Sequence, residues 1–144
     1  MPLKDYTTTV PVHRSIAEIT KYLVAAGARA VAQEYTAEGG VKALTFAIPL
    51  AGVQLTYLLP VDAEAVRRVL LRQKVQQRYL SAEHCDRVAW RIMRDWVSAQ
   101  AAIIQTQMVT LHQVMLPYMR TEDGTTVYER FELTHSVPAL GGAR

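Results

Sequence analysis

The sequence predicts an α+β domain, an antiparallel sheet packed under helices in the order β-α-β-β-β-α-α-β, with one long helix towards the C-terminus. Three observations carry that expectation. Apolar residues recur at three- and four-residue spacing over residues 15–26, 62–73 and 81–116. They alternate at a period of two over 28–35, 41–48 and 53–59. Short turns rich in glycine or proline separate those alternating runs, as hairpins require.

Taken in order, residues 6–12 mix Tyr, Thr and Val, a composition that suits a strand ending at Pro11. Ser15 and Glu18 have the spacing of a capping box, so a helix is expected over 15–26, with Ile16, Ile19, Tyr22, Leu23 and Ala26 on one face. Gly27 suits its end. The period then changes. Val31, Gln33 and Tyr35 share one side of a strand, and Ala30, Ala32 and Glu34 the other. Glu38, Gly39 and Gly40 turn the chain into 41–48, with Leu44, Phe46 and Ile48 aligned; residues 49–52 turn it again into 53–59. The result is an antiparallel meander with one face for the core.

Asp62 is the expected N-cap of a helix lined by Val66, Val69, Leu70 and Gln73, which falters at 76–80. Ser81 begins the next, with Glu83 in its first turn favoured by the helix dipole. Cys85, Val88, Ala89, Ile92, Trp96, Ala99 and Ile103 form its stripe, and Leu111, Val114 and Tyr118 can extend it until Pro117 ends it near Leu116. Such a helix would reach about 50 Å, more than a small domain is wide, so it either breaks or projects into a partner. Residues 122–125 make a turn, 126–133 alternate as a late strand, and 136–144 form a patternless, mobile tail after a single domain at 1–135.

A length of 144 residues lets one domain bury about two-thirds of the surface its unfolded chain exposes, with no staple needed. Cys85, the lone cysteine, has no partner for a disulfide, which together with the lack of a signal-like start predicts a cytoplasmic protein. From Trp96 to Met119 there is no Asp, Glu, Lys or Arg. Gln100, Gln105, Gln107, Gln113 and His112 in that stretch argue against a membrane span, because each amide would need a partner in hydrocarbon. The net charge of +3 permits an acidic partner without requiring one.

The strings Trp90-Arg91-Ile92, Asp95-Trp96-Val97 with Ala99-Gln100, Leu116-Pro117-Tyr118-Met119 and Asp123 to Glu129, together with the Tyr6 to Val10 opening and Leu58-Leu59-Pro60, resemble a group of short uncharacterised bacterial and phage proteins. The likeness extends to about Phe131. It implies a mobile-element setting, where small nucleic-acid-binding accessory proteins are common, and implies no catalytic residues or cofactor.

The residues themselves point the same way. Arg67, Arg68, Arg72, Lys74 and Arg78, followed by Arg87, Arg91 and Arg94, are candidates for phosphate contact, with Arg87, Arg91 and Arg94 on one helical face. The competing expectation is a solvated face with Glu83 pairing Arg87 and Arg91 pairing Asp95. Tyr22, Tyr35, Tyr57 and Tyr79 would stack on bases if exposed, and are otherwise core residues. His84, Cys85 and Asp86 point about 100° apart on a helix and cannot form a relay, while His13, His84, His112 and His135 lack metal-ligand spacing. No enzyme, metal or cofactor is therefore expected. The uncharged half-helix supplies the alternative, a homo-oligomeric interaction module whose interface takes Trp96, Ile103, Ile104, Met108, Leu111 and Met115.

Overall fold

Helices and a three-stranded antiparallel sheet account for most of residues 1–134, the part of the chain that a computed structural model describes. The elements are α1 (Val12–Ala25), β1 (Ala30–Tyr35), β2 (Val41–Leu50), β3 (Val53–Leu58), α2 (Ala63–Arg72), α3 (Ala82–Gln105), α4 (Leu111–Met115) and α5 (Val127–Thr134), with 3-10 turns at Gln77–Tyr79 and Leu116–Tyr118. The α+β class and the meander, in the order β1-β2-β3, are as the periodicity predicts. The expected tail at 136–144 lies outside the described residues.

Alternation fixes which side of the sheet is buried. Val31 pairs with Phe46 and Phe46 with Tyr57, so these rings and Leu44 and Ile48 share the face that meets the helices. Ile16, Ile19 and Leu23 of α1, Trp90, Met93 and Val97 of α3, and Leu111 and Met115 of α4 complete that core. Burying each such side chain contributes about 1.5–3 kcal/mol. A second cluster, Val66, Leu70, Cys85, Val88 and Ala89, fills the joint between α2 and α3 and is covered by Leu3 and Tyr6 from the N-terminus.

Four expectations are corrected. Residues 6–12 are not a strand. The chain turns at 4–7 with Asp5 in the left-handed region (φ 61°), and Tyr6 is drawn down onto the α2–α3 cluster. α1 starts at Val12 behind Pro11, whose φ of −67° suits an N-cap. Ser15 is then fully buried and no cap, and Glu18 reaches across to α3.

The long helix is α3, and it is not C-terminal. It stops at Gln105, so it spans about 36 Å. Gln107 adopts φ 66°, and Thr106 Oγ1 donates to the Ile103 carbonyl at 2.5 Å, closing the last turn. α4 starts afresh from a capping box between Thr110 and Gln113. The uncharged stretch is thus folded back on its own domain.

Residues 127–134 form a helix rather than a late strand. Glu129 N–H donates to Thr126 Oγ1 at 3.2 Å, and Thr126 N–H to Glu129 Oε1 at 3.1 Å. This reciprocal capping outweighs the alternation of Val127, Glu129 and Phe131 against Tyr128, Arg130 and Glu132. Nearby, among the described residues, extended pairing is limited to two bridges, Arg120 with Thr126 and Met119 with Tyr57.

Candidate nucleic-acid interface

The eight basic residues divide into two sets. Arg67, Arg68 and Arg72 stand on α2, which forms because the Asp62 carboxylate accepts from the N–H groups of Glu64 and Ala65, at 3.0 and 3.2 Å. Arg67 lies 3.8 Å from Glu64 and Arg68 4.0 Å from Asp62, both in exposed pairs of little energetic weight. Arg72 occupies the last turn, where the helix dipole favours a cation. Lys74 follows at φ 54°, and Arg78 donates to the Tyr79 hydroxyl at 2.8 Å with its guanidinium 4.8 Å from that ring's centre. Among the described residues Arg72, Lys74 and Arg78 make no ion pair, and all three are exposed.

Beside them lies an open cleft of about 490 Å³ between Met1, Pro2 and Tyr6 on one side and Gln73, Lys74, Gln76 and Tyr79 on the other. The N-terminal segment that walls it is held by Gln73, whose Oε1 accepts from Leu3 N–H at 3.0 Å and whose Nε2 donates to the Met1 carbonyl at 2.9 Å. His84 adds a third tie. Arg87 donates to His84 Nδ1 at 3.2 Å, so Nε2 carries the proton and donates to the Tyr6 carbonyl at 2.5 Å.

Arg87, Arg91 and Arg94 form the other set, and they face inward. Arg87 pairs with Glu83 at 3.1 Å, as the spacing predicts. Arg91 pairs with Glu18 at 2.6 Å, not with Asp95. Arg94 meets Glu18 at 3.1 Å, Asp95 at 3.3 Å and the Tyr22 hydroxyl at 3.0 Å. Their side chains are only 18–26 % exposed. Arg91 and Arg94 fasten α1 to α3 through Glu18 and Tyr22, whereas Arg87 is held within α3 by Glu83 and His84.

The tyrosines divide similarly. Tyr57 is buried, Tyr22 is held by Arg94, and Tyr79 is flanked by Tyr6 and His84 at 5.4 and 5.1 Å, which leaves Tyr35 as the exposed ring of the four. Of the proposed interface residues, Leu111 and Met115 belong to the domain's own core, Trp96 is half-buried with its ring 6.0 Å from Tyr118, and Ile103 and Ile104 are half-buried. Met108, at the break after α3, is 70 % exposed.

Cys85 is enclosed, and burial pushes its thiol up, away from the reactive thiolate. His112 accepts from the Tyr57 hydroxyl, His13 is exposed at the start of α1, and His135 lies outside the described residues. Among the described residues no three His, Cys, Asp or Glu side chains gather as metal ligands, and no helix is long and apolar enough to cross a membrane. Sequence reasoning missed Tyr6, Gln73 and the N-terminal segment as walls of the cleft. Their contacts join positions some 70 residues apart, which no local pattern encodes.

No family model, curated protein or solved structure matches this chain.

Proposed function

We propose that the protein is a non-enzymatic nucleic-acid-binding accessory protein, of the kind carried by phages and mobile elements, and that it contacts phosphates through the edge running from α2 to Tyr79. The observation that carries this reading is the exposed set Arg72, Lys74 and Arg78, without an ion pair among the described residues, beside the 490 Å³ cleft, with Arg67 and Arg68 extending it along α2. Each phosphate neutralised there releases counterions, so affinity falls as salt rises. Relative to the eight basic residues expected from the sequence, the contact set contracts to the five on α2 and the turn after it.

The test is a titration of fluorescent single- and double-stranded oligonucleotides at two salt concentrations. Binding at low salt with a log–log salt slope of about −2 to −4.5 is expected for three to five phosphate contacts. An Arg72→Gln/Lys74→Gln/Arg78→Gln variant loses most of that slope. Absence of binding at low salt by the wild-type chain rejects the reading.

The alternative is a homo-oligomeric interaction module. It is favoured by a groove of about 510 Å³ beside the uncharged half of α3, lined by Tyr22, Ala26, Ala101, Ala102 and Ile104. Light scattering separates the two, since a strict monomer that binds oligonucleotides excludes the module.

A further inference from the structure

The sheet has two edges, and they are not alike. On the β3 side, Met119 bridges Tyr57 and Arg120 N–H donates to the Thr56 carbonyl at 2.8 Å, so that edge is already capped by the chain's own backbone. On the other side, β1 is the terminal strand, with no neighbour beyond it among the described residues. Strand edges that must stay monomeric carry lysine, proline or an inward-pointing charge. β1 reads Ala30-Val31-Ala32-Gln33-Glu34-Tyr35, with its only charge at the far end, and Ala30, Ala32, Gln33 and Tyr35 are exposed.

We infer that β1 is a self-association edge, on which a second copy of this chain pairs its own β1 antiparallel across a two-fold axis. The pairing doubles the three-stranded sheet into one continuous sheet. Three features select a second copy as the occupant. The bulge between Glu34 and Tyr35 limits the regular run to residues 30–34, whose centre is Ala32, so antiparallel self-pairing about Ala32 uses the whole run in register. The ends of the run are oppositely charged. Arg29, exposed and without an ion pair among the described residues, stands at one end, and Glu34, 3.4 Å from Arg120 and with its side chain still 44 % exposed, at the other. Antiparallel pairing brings Arg29 of one copy to the Glu34 and Tyr35 end of the other, whereas parallel pairing sets like charges together. Finally, Ala30 and Ala32 on the outer face are small enough that no side chain obstructs the approach.

This surface is distinct from the groove on α3 and from the basic edge, and the inference stands whether or not the chain binds nucleic acid. Its test is sedimentation of the full chain from micromolar to several hundred micromolar, with cross-linking through engineered cysteines. The wild type is expected to sediment as a concentration-dependent dimer, and Ala32→Lys, which sets two ammonium groups against each other at the axis, to sediment as a monomer with unchanged circular dichroism. Ala32→Cys is expected to form an interchain disulfide under mild oxidation, because directly opposed residues lie about 4.5–5.5 Å apart. Ala30→Cys is the control, since self-pairing about Ala32 holds its two copies about 13 Å apart, too far to bridge. A wild type that stays monomeric throughout, or a dimer that is indifferent to Ala32→Lys, or equal cross-linking at positions 30 and 32, overturns the inference.

Discussion

Glu18 Oε2 accepts from Arg91 at 2.6 Å, joining α1 to α3 across 73 positions of sequence, and the same oxygen accepts from Arg94 Nε at 3.1 Å. One carboxylate therefore serves two guanidiniums, all three side chains being 18–28 % exposed. Pairs in such a setting are worth more than surface pairs, because less water screens them. Removing Glu18 takes the acid from Arg91 and leaves Arg94 with Asp95 alone, 3.3 Å away. Glu18→Gln is expected to cost about 1–3 kcal/mol in urea denaturation at pH 7. Burial acts to raise the Glu18 carboxyl, but the hydrogen bond from Arg91 and the charges of Arg91 and Arg94 outweigh it and bring it below its ordinary value of 4.5. The sign follows. The stabilisation is complete above 4.5 and is lost as pH falls through the lower folded value, so the wild-type and Glu18→Gln curves converge in acid. Parallel curves at pH 7 and pH 3 would show that the latch contributes nothing.

The N-terminal turn sets Asp5 against Asp95, with Lys4 Nζ 2.8 Å from Asp95 and 3.6 Å from Asp5. Burial, and then the proximity of Asp95, raise the Asp5 carboxyl. Burial also acts to raise Asp95, but hydrogen bonds from Asp5, Lys4 and Arg94 bring it down to about 2. Asp95 thus supports the fold above the ordinary carboxylate range, whereas Asp5 does so only when protonated, and its contribution is lost as pH rises through its raised value. Asp5→Asn keeps a donor towards Asp95 at every pH and tolerates the φ of 61°. The variant is expected to gain about 1 kcal/mol or less at pH 7, with the gain vanishing in acid. A loss of stability at pH 7 would count against a shared proton.

The break after α3 depends on a residue with no glycine-like licence. Gln107 sits at φ 66°, and a Cβ there costs about 1–2 kcal/mol. Gln107→Gly relieves that cost and is expected to be neutral or stabilising by about 0.5 kcal/mol, because glycine's greater unfolded freedom offsets part of the relief. Gln107→Val should destabilise by about 1–2 kcal/mol, since a branched side chain suits this region least. Thermal melts of the two variants decide it, and equal melting temperatures would refute the strain.

That break also explains which parts of the fold were legible in the sequence. The meander, the Asp62 and Ser81 caps and the faltering at 76–80 are local signals, and each corresponds to an element or a cap in the structure. Gln107 carries no local signal, because neither glycine nor proline marks the turn, so the stripe runs on in sequence while the chain folds back. The Thr126-x-x-Glu129 box was visible in principle but competed with a period-two pattern over the same residues. The basic set was legible as composition only. Whether an arginine faces water or Glu18 is decided by the packing of α1 on α3, and Arg91 and Arg94 find their acid on a different helix.

Tyr57 and His112 provide the closest polar contact between the sheet and α4. The phenol is 1 % exposed and lies 2.5 Å from His112 Nδ1, while His112 Nε2 lies 3.4 Å from the Pro49 carbonyl. With Nε2–H donating to Pro49, Nδ1 is left as the acceptor for the phenol, and burial holds the Tyr57 hydroxyl above its ordinary value, keeping it a donor. The two partners differ in their access to water. His112 is half-buried and can turn to solvent, whereas the phenol has no other hydrogen-bond partner among the described residues. Tyr57→Phe should therefore cost about 0.5–1.5 kcal/mol, the net worth of one hydrogen bond. His112→Ala should cost more, about 2–3 kcal/mol, because it strands a buried hydroxyl and removes packing from the end of the β2–β3 hairpin. The Tyr57→Phe/His112→Ala double variant should recover part of that loss, since no donor is then left unmet. Urea denaturation of the three variants measures the coupling. Strict additivity would show that the contact carries no interaction energy.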